Sequence, residues 1–238
     1  MNYIFKGEII DYDFSFNAKK ETILFLHGWG GDKNSFSSCM NLIKNNFNTL
    51  SITFPTTKNT NMSWNMYDYR NLVLSILKLH NIKSIIIICH SFGFRIATLI
   101  NNHIKISKIV VTGGAGMKRK NIYKKIESQN NLILLKNGKN NYLFDKISSP
   151  DYRNLSDTNK QTFKNIVNLN TLNLTKFVCP MLLFWGKKDK KTPLWIAKKL
   201  YKSNRSLLFV TKGDHFAYLK ESFSFIHELK NFLMEQYD

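Results

Sequence analysis

Short apolar runs alternate with segments of helical periodicity along most of the 238-residue chain. A continuous apolar run bounded by turn residues is typical of a strand buried on both faces, whereas apolar residues three and four positions apart form one face of a helix. The runs predict strands at 22–26, 48–54, 85–88, 106–112, 181–185 and 206–210. The helical spacing predicts helices over 35–47, 66–79, 92–100, 193–201 and 221–234. This alternation indicates an α/β fold with a mostly parallel central sheet and helices on both faces.

The N-terminal part of the chain has a different pattern. Alternating residues between Tyr3 and Phe16 predict two short strands joined by a turn at Lys6-Gly7. After the next strand, Ser35 is placed to act as the N-cap of the helix over 35–47.

The alternation of strands and helices stops between Met117 and Lys176. This stretch is rich in Lys and Asn, with helical pieces near 122–135 and 160–169 and no convincing strand. It is too long for a simple crossover, so we predict one domain over residues 1–238 in which 117–176 form an inserted helical cap. A partly disordered insertion is the alternative, although the aromatic residues Tyr142, Phe144, Tyr152 and Phe163 favour packing.

The formal net charge of +19 would attract acidic partners. Thirty of the 35 basic residues are Lys, however, whereas specific nucleic-acid recognition relies on bidentate contacts from Arg. We therefore expect no nucleic-acid partner. An AT-rich genome, which favours Lys and Asn codons, accounts for the charge without any function, and the other explanation is an anionic substrate or an acidic carrier protein.

Three cysteines, Cys39, Cys89 and Cys179, lack metal-ligand spacing and fit a reducing compartment. The first residues do not have the layout of a secretory leader, and no apolar run approaches the length of a membrane span. These features indicate a cytoplasmic protein. No cluster of His, Cys and Asp has ligand spacing, so we expect no metal and no cofactor.

One predicted strand runs directly into a serine at the start of a predicted helix. Residues 85–100 combine the apolar run, Ser91 and the helical spacing, and Gly93 supplies a small residue beside the turn. Such a turn holds the serine at the positive end of the helix dipole, where an anion is stabilised. The pattern matches G-x-S-x-G except that Cys89 replaces the first glycine, and Phe94 is bulky for a position so near the turn. An ordinary strand-to-helix connection is the simpler alternative.

Three further loops follow predicted strands. His27-Gly28-Trp29-Gly30-Gly31 bends sharply enough to expose backbone N–H groups, which an oxyanion site requires, although a glycine-rich turn without chemistry is possible. Asp189 and His215 lie in the other two loops. Because parallel strands end at one edge of a sheet, we expect Ser91, Asp189 and His215 to lie near one another.

These loops resemble the motifs of the α/β-hydrolase family over nearly the full chain. The order Ser91, Asp189, His215 is the family's triad order. His27-Gly28-Trp29-Gly30 resembles its oxyanion loop, Gly186-Lys187-Lys188-Asp189 its acid turn and Gly213-Asp214-His215-Phe216 its histidine loop. The resemblance implies an α/β-hydrolase fold with a small helical cap. The HGWG loop is similar to that of pimeloyl-carrier-protein methyl ester esterases.

The chemistry of a serine hydrolase assigns a role to each residue. His215 would take the proton of the Ser91 hydroxyl as a base, and Asp189 would orient the imidazole and stabilise its cation. The N–H of Phe92, next to the nucleophile, would bind the oxyanion, and the family resemblance implies that the N–H of Trp29 does so as well. We predict hydrolysis of a carboxylic ester through an acyl-enzyme on Ser91. Thioester hydrolysis, hydrolysis of a carrier-protein-linked methyl ester and a non-catalytic small-molecule receptor are the alternatives.

Other polar residues have structural interpretations. Asp214 adjoins His215 on an exposed turn, and Asp151 and Asp157 lie in the predicted cap, so Asp189 is the better acid. His27 and His90 are predicted to form structural hydrogen bonds, and His80, His103 and His227 to lie at helix surfaces or ends. Lysines flank the acid and begin the cap, where they would attract an anionic substrate if they form one rim: Lys187, Lys188, Lys190, Lys191, Lys118, Lys120, Lys124 and Lys125, with Arg119.

Overall fold

The computed structural model describes residues 1–17, 20–58, 60–117, 152, 154–173, 176–203 and 205–235. The strands of this part are β1 (Asn2–Phe5), β2 (Glu8–Ser15), β3 (Thr22–Leu26), β4 (Asn48–Ile52), β5 (Ser84–His90), β6 (Lys105–Thr112), β7 (Met181–Gly186) and β8 (Ser206–Thr211). They form one sheet in the order β1-β2-β4-β3-β5-β6-β7-β8. Strands β3 to β8 are parallel to one another, and β2 joins them antiparallel. The predicted mostly parallel sheet is therefore confirmed.

Helices cover the sheet on both sides. The described ones are α1 (Ser37–Ile43), α2 (Met66–Leu79), α3 (Phe92–Ile100), α4 (Asp157–Asn168), α5 (Leu194–Ser203), α6 (Ala217–Lys220) and α7 (Ser222–Met234). Helices α2, α3 and α5 pack into the core on one face, and α1, α6 and α7 pack into the core on the other. In the part of the chain that the structure describes, no helix is long and apolar enough to cross a membrane.

The central strand β5 shows why a continuous apolar run is needed. Successive side chains of a strand point to opposite faces. Ile85, Ile87 and Cys89 accordingly belong to the core on the α2 and α3 side, whereas Ile86 and Ile88 belong to the core on the α1 and α7 side. A strand buried on both faces has no position left for a polar residue, so the alternation that marks a half-exposed strand is lost.

The N-terminal hairpin and several element ends refine the sequence prediction. Strands β1 and β2 pair through the predicted turn at Lys6-Gly7. The two residues of this turn have φ values of 54° and 76°. Ser35 as the cap of α1 is wrong, because α1 begins at Ser37 and the Ser35 hydroxyl accepts the N–H of Asp32 instead. Strand β4 ends at Ile52 because the N–H of Phe54 bonds to the His27 ring rather than to a neighbouring strand.

Only part of the predicted cap lies within the described residues. Helix α4 agrees with the helical piece predicted over 160–169, but it starts three residues earlier, where the Ser156 hydroxyl accepts the N–H of Asn159 as an N-cap. The helical piece predicted over 122–135 lies outside the described residues. The assignment of 117–176 as one inserted cap remains a prediction.

Helix α4 is held against the rest of the molecule by buried polar contacts. The Asn159 side chain is fully buried; its amide donates to the carbonyl of Lys58 (2.7 Å) and its oxygen lies 3.3 Å from the Thr60 hydroxyl. The N–H of Trp64 donates to the hydroxyl of Thr162 (2.9 Å). These bonds join α4 to the loop between β4 and α2, which neighbours the site described next.

Candidate active site

Ser91 lies at the sharp turn between β5 and α3. Its backbone has φ 47° and ψ −108°, a conformation that non-glycine residues rarely adopt and that persists only where the surroundings impose it. Gly93 allows this turn to sit close to the sheet, because a Cβ at this position would lie 2.1 Å from the carbonyl oxygen of Leu26 in β3. The turn therefore lifts the Ser91 side chain above the carboxyl edge of the sheet.

The two unusual residues beside the turn both fit the core. Cys89 is completely buried, and its side chain is small enough to fit there with its thiol 3.4 Å from the carbonyl oxygen of Val110. Burial raises the pKa of this thiol well above its usual value, so Cys89 remains protonated and unreactive. Phe94 is also completely buried and stacks on Phe177, with ring centroids 5.8 Å apart. The bulk of Phe94 is thus accommodated by an aromatic partner from the segment before β7.

Asp189 lies in the turn after β7 with both carboxylate oxygens bonded. Oδ1 accepts the backbone N–H groups of Lys191 (2.9 Å) and Thr192 (2.8 Å), and Oδ2 accepts the His215 ring (2.8 Å) and the Thr192 hydroxyl (2.7 Å). Burial alone would raise the pKa of Asp189, but the hydrogen bonds from His215 and from the Thr192 backbone outweigh burial and lower this pKa. The carboxylate is therefore ionised and fixed in orientation.

His215 follows β8 and is 8% exposed. Its Nδ1 bonds to Asp189 Oδ2, and because an ionised carboxylate can only accept, Nδ1 carries the proton and Nε2 is left as the basic nitrogen. Gly113, which follows β6, packs directly against the Asp189–His215 pair. A Cβ on Gly113 would lie 3.0 Å from His215 Nδ1 and 3.2 Å from Asp189 Oδ2. The Asp189–His215 pair is thereby shielded from water.

The structure brings the three predicted side chains to the same edge of the sheet. Asp189 and His215 are in direct contact, and the ring of His90, which precedes Ser91, lies 4.7 Å from the His215 ring between centroids. Among the hydrogen bonds of the described residues, none joins the Ser91 hydroxyl to His215.

The glycine-rich loop after β3 is anchored by His27. Its Nδ1 bonds to the carbonyl of Gly28 (2.7 Å), and its Nε2 accepts the N–H of Phe54 (2.9 Å), which confirms the predicted structural role. Burial lowers the pKa of His27 to about 4, so the ring is neutral and Nε2 can accept. The loop passes close to the serine, since a Cβ on Gly28 would lie 3.6 Å from the Ser91 Cβ.

Two backbone N–H groups at this edge are candidates to bind an anion. Among the described residues, neither the N–H of Trp29 nor that of Phe92 has a hydrogen-bond acceptor. Phe92 is the first residue of α3, so its N–H is one of the donors that a helix cannot satisfy internally. These are the two groups that the sequence assigns to the oxyanion site.

Aromatic rings cover the space beside these donors. The Trp29 ring packs edge-on against Phe92 (5.8 Å) and against Phe163 of α4 (5.3 Å), and Tyr152 packs against Phe163 (5.4 Å). Distances are between ring centroids. These contacts place apolar rings of α4 and of residue Tyr152 beside the loop of Trp29.

The competing residues have other partners. Asp214 is half-buried and pairs with Lys220, which together with the Phe216 N–H lowers the pKa of Asp214. His90 bonds through Nδ1 to the carbonyl (3.0 Å) and hydroxyl (3.1 Å) of Thr112, as predicted. Asp151 lies outside the described residues. In the described part of the chain, no group of three or more His, Cys, Asp or Glu side chains could hold a metal ion.

Two residues at the site were not foreseen from the sequence. The Thr192 hydroxyl reaches the Asp189–His215 pair, and the Arg95 guanidinium, buried in α3, donates to the carbonyls of Ile166 (3.1 Å) and Leu169 (2.7 Å) at the end of α4. The threonine three positions after the acid was a usable signal for the first. No local signal reveals a contact that spans more than 70 residues.

No family model and no curated protein matches this sequence. Solved structures do match its fold. An esterase from Exiguobacterium antarcticum is 17% identical, with a TM-score of 0.72 over 95% of this chain and 96% of its own. An α/β hydrolase from a Medee basin deep-sea metagenome is 15% identical (TM-score 0.74; 100% and 98%), and the enol-lactonase from Burkholderia xenovorans LB400 is 11% identical (0.73; 99% and 100%). With this strand order and these likenesses, the chain has the α/β-hydrolase fold.

Proposed function

We propose that the chain is a serine hydrolase that cleaves a carboxylic ester through an acyl-enzyme on Ser91. The observation that carries this proposal is the buried 2.8 Å hydrogen bond between His215 Nδ1 and Asp189 Oδ2 at the sheet edge that also presents the strained Ser91 turn. Solved structures with this fold include an esterase and an enol-lactonase, which supports hydrolysis of an ester bond.

The chemistry proceeds in two halves. His215 Nε2 takes the proton of the Ser91 hydroxyl as Oγ attacks the ester carbonyl, and the N–H groups of Trp29 and Phe92 stabilise the resulting oxyanion. The tetrahedral intermediate collapses, and the imidazolium returns the proton to the departing alcohol, which leaves an acyl group on Oγ. Water then enters, gives a proton to His215 and releases the acid by the reverse sequence. Asp189 stabilises the imidazolium in both halves.

The proposal is tested with short p-nitrophenyl acyl esters. We expect Ser91→Ala to reduce kcat by about four decades or more, because removing the nucleophile abolishes the acyl-enzyme route. Ser84→Ala, at the opposite end of β5, is the matched control and should keep wild-type kcat. A fluorophosphonate probe should label the wild type and the Ser84→Ala protein but not the Ser91→Ala protein.

Three other outcomes would each change the assignment. Equal turnover by the wild type and Ser91→Ala would refute a serine nucleophile. Turnover of thioesters much faster than that of esters of equal length would make the protein a thioesterase. Tight binding of a small acyl compound, without labelling or turnover, would instead indicate a receptor that has this fold.

We also propose that the ester is anionic or is carried by an acidic protein. Lys187, Lys188, Lys190 and Lys191 are exposed around Asp189, and the Lys191 ammonium lies 5.6 Å from the centre of the Phe216 ring, next to His215. A positive potential at this position favours a negatively charged substrate. Lys118, Lys120, Lys124 and Lys125 of the predicted cap lie outside the described residues and add nothing to this argument.

A further inference from the structure

The hydroxyl of Thr192 is buried against the Asp189–His215 pair. Thr192 is 5% exposed, and its Oγ1 lies 2.7 Å from Asp189 Oδ2, 2.9 Å from the carbonyl oxygen of Gly113 and 3.2 Å from His215 Nδ1. The side chain thus meets the acid, the base and the loop after β6 at one point.

The hydrogen-bond inventory of these groups limits what the hydroxyl can do. A carboxylate and a carbonyl can only accept, so the single proton of the Thr192 hydroxyl is shared between Asp189 Oδ2 and Gly113 O. Asp189 Oδ2 then has two donors, the hydroxyl and His215 Nδ1–H, and Oδ1 has two backbone donors. Four donors saturate the carboxylate and prevent its rotation.

The backbone of Thr192 is held independently of the hydroxyl. Its N–H donates to Asp189 Oδ1 (2.8 Å), and its carbonyl accepts the indole N–H of Trp185 (2.7 Å), which is completely buried. A valine at this position keeps both backbone bonds and nearly the same shape. The function of the hydroxyl can therefore be separated from the structure of the turn.

We propose that Thr192 is a positioning residue whose hydroxyl holds the Asp189 carboxylate in its hydrogen bond to His215 Nδ1 and takes up part of the carboxylate's negative charge. The inference rests on the proposed hydrolase function, because only then does the base strength of His215 matter. Without the hydroxyl, the full negative charge of the Asp189 carboxylate would stabilise the His215 imidazolium. The protonated, inactive base would then persist to higher pH.

Other titratable groups near His215 remain the same in the test. His90 lies 4.7 Å away between ring centroids, and burial, followed by the proximity of His215, lowers the pKa of His90 to about 3, so it stays neutral. The ammonium of Lys191 lies over the ring of Phe216, which in turn contacts His215. Neither group is altered by a substitution at Thr192.

The experiment compares Thr192→Val with Thr192→Ser. For Thr192→Val we expect kcat on a p-nitrophenyl ester to fall about tenfold with little change in KM, because the hydrogen bond that is lost acts on the Asp189–His215 pair and not on the bound ester. The acidic limb of its kcat/KM profile should move to higher pH. Thr192→Ser restores the hydroxyl and should stay within about threefold of the wild type with an unshifted profile.

Thr98→Val is the matched control, since Thr98 is also buried in α3 but its hydroxyl, within the described part of the chain, bonds only to the carbonyl of Arg95 (2.7 Å). It should leave kcat and the pH profile unchanged. Wild-type kinetics in Thr192→Val, or equal losses in Thr192→Val and Thr192→Ser, would overturn the proposal. A Thr192→Val protein that fails to fold while Thr192→Ser folds with wild-type kinetics would also overturn it, since the hydroxyl would then be structural.

A second measurement separates this proposal from the proposed function. In the Ser91→Ala background, the downfield proton signal of His215 Nδ1 reports its hydrogen bond to Asp189 without any turnover. Adding Thr192→Val should shift this signal and speed its exchange with water. If the wild type proves inactive but the shift is seen, the proposed function fails and the positioning contact stands; an unmoved signal overturns the contact.

Discussion

A buried histidine lies at the carboxyl end of each of two neighbouring strands of the sheet. His27 follows β3 and His90 ends β5, and both are 2% exposed. Burial lowers the pKa of His27 to about 4 and, together with the proximity of His215, that of His90 to about 3. Both rings serve the fold as neutral hydrogen-bonding groups, and their position next to the candidate nucleophile makes the folded state sensitive to protonation.

We predict that the free energy of unfolding decreases as the pH falls below about 6.5. In the unfolded chain each histidine binds a proton near pH 6.5, whereas in the folded chain it resists protonation down to about pH 4 or 3. The stability is therefore fully present above pH 6.5 and is lost as the pH falls, with a limiting slope of about 1.4 kcal/mol per pH unit for each ring. Urea unfolding at intervals between pH 7.5 and 5.5 measures this slope.

His90→Asn should reduce the slope by about a third to a half, because an asparagine amide can replace Nδ1 as the donor to Thr112 but does not titrate. The rest of the slope belongs to His27 and to His80, whose pKa burial also lowers. The exposed His103 provides the control, and His103→Asn should keep the wild-type slope. Identical slopes in the wild type and His90→Asn would show that this ring does not govern the acid sensitivity.

Helix α4 is attached to the molecule by buried polar contacts as well as by the apolar side chains of Phe163 and Ile166. Asn159 and Thr162 are fully buried and bond to the segment from Lys58 to Trp64, and Arg95 supplies donors for the last carbonyls of the helix. Burial lowers the pKa of Arg95 to about 10, so the guanidinium still carries its charge near neutral pH. An element held in this way depends on every partner, because each lost bond leaves a buried polar group unpaired.

Asn159→Ala should therefore loosen α4 without unfolding the sheet. The change leaves the carbonyl of Lys58 and the hydroxyl of Thr60 without this partner, at a cost of about 1–3 kcal/mol for each group that stays buried. Hydrogen exchange followed by mass spectrometry should show roughly 10- to 100-fold faster exchange in peptides covering 157–168, with the β5 peptides unchanged.

Gln161→Ala is the control for this measurement. Gln161 lies on the same helix but is exposed, and among the described residues its amide bonds only to Asn165, one turn away. Hydrogen exchange in the Gln161→Ala protein should match that in the wild type. If both variants exchange equally fast, the buried amide does not anchor α4.

The charge of the molecule as a whole bears on substrate choice. We predict that an ester with a terminal carboxylate has about tenfold higher kcat/KM than a neutral ester of equal length at low salt, and that the advantage shrinks at physiological salt because ions screen the exposed lysines. Replacing Lys187, Lys188, Lys190 and Lys191 by Gln should remove most of the advantage and leave neutral-ester turnover nearly unchanged.

A second set of lysines controls for net charge. Lys44, Lys78, Lys83 and Lys105 are exposed near the amino edge of the sheet, away from the candidate site, and their replacement by Gln changes the total charge by the same amount. This variant should keep the preference. No preference at low salt, or equal loss in both variants, would leave the lysines as surface composition.

For the molecule as a whole, the sequence predicts the strands of the sheet well and the contacts between side chains poorly. Runs such as Ile85–Ile88 identify buried strands because a strand covered on both faces excludes polar residues. The loops of Ser91, Asp189 and His215 could be brought together because parallel strands end at one edge. The contacts of Thr192 with Gly113 and His215 and those of Arg95 with the end of α4 could not be predicted, since they depend on how loops far apart in sequence pack. The N-cap of α1 was predicted wrongly because Ser35 bonds back to its own turn.

The bond between the Phe54 amide and His27 Nε2 has a spectroscopic consequence. Its acceptor is a ring nitrogen rather than the usual carbonyl oxygen. Two nitrogen nuclei joined through a hydrogen bond share a scalar coupling that NMR can resolve. In a protein labelled with ¹⁵N, that coupling would identify the tautomer of His27 directly and would report, without substrate or inhibitor, whether the loop that presents the Trp29 N–H keeps its folded geometry.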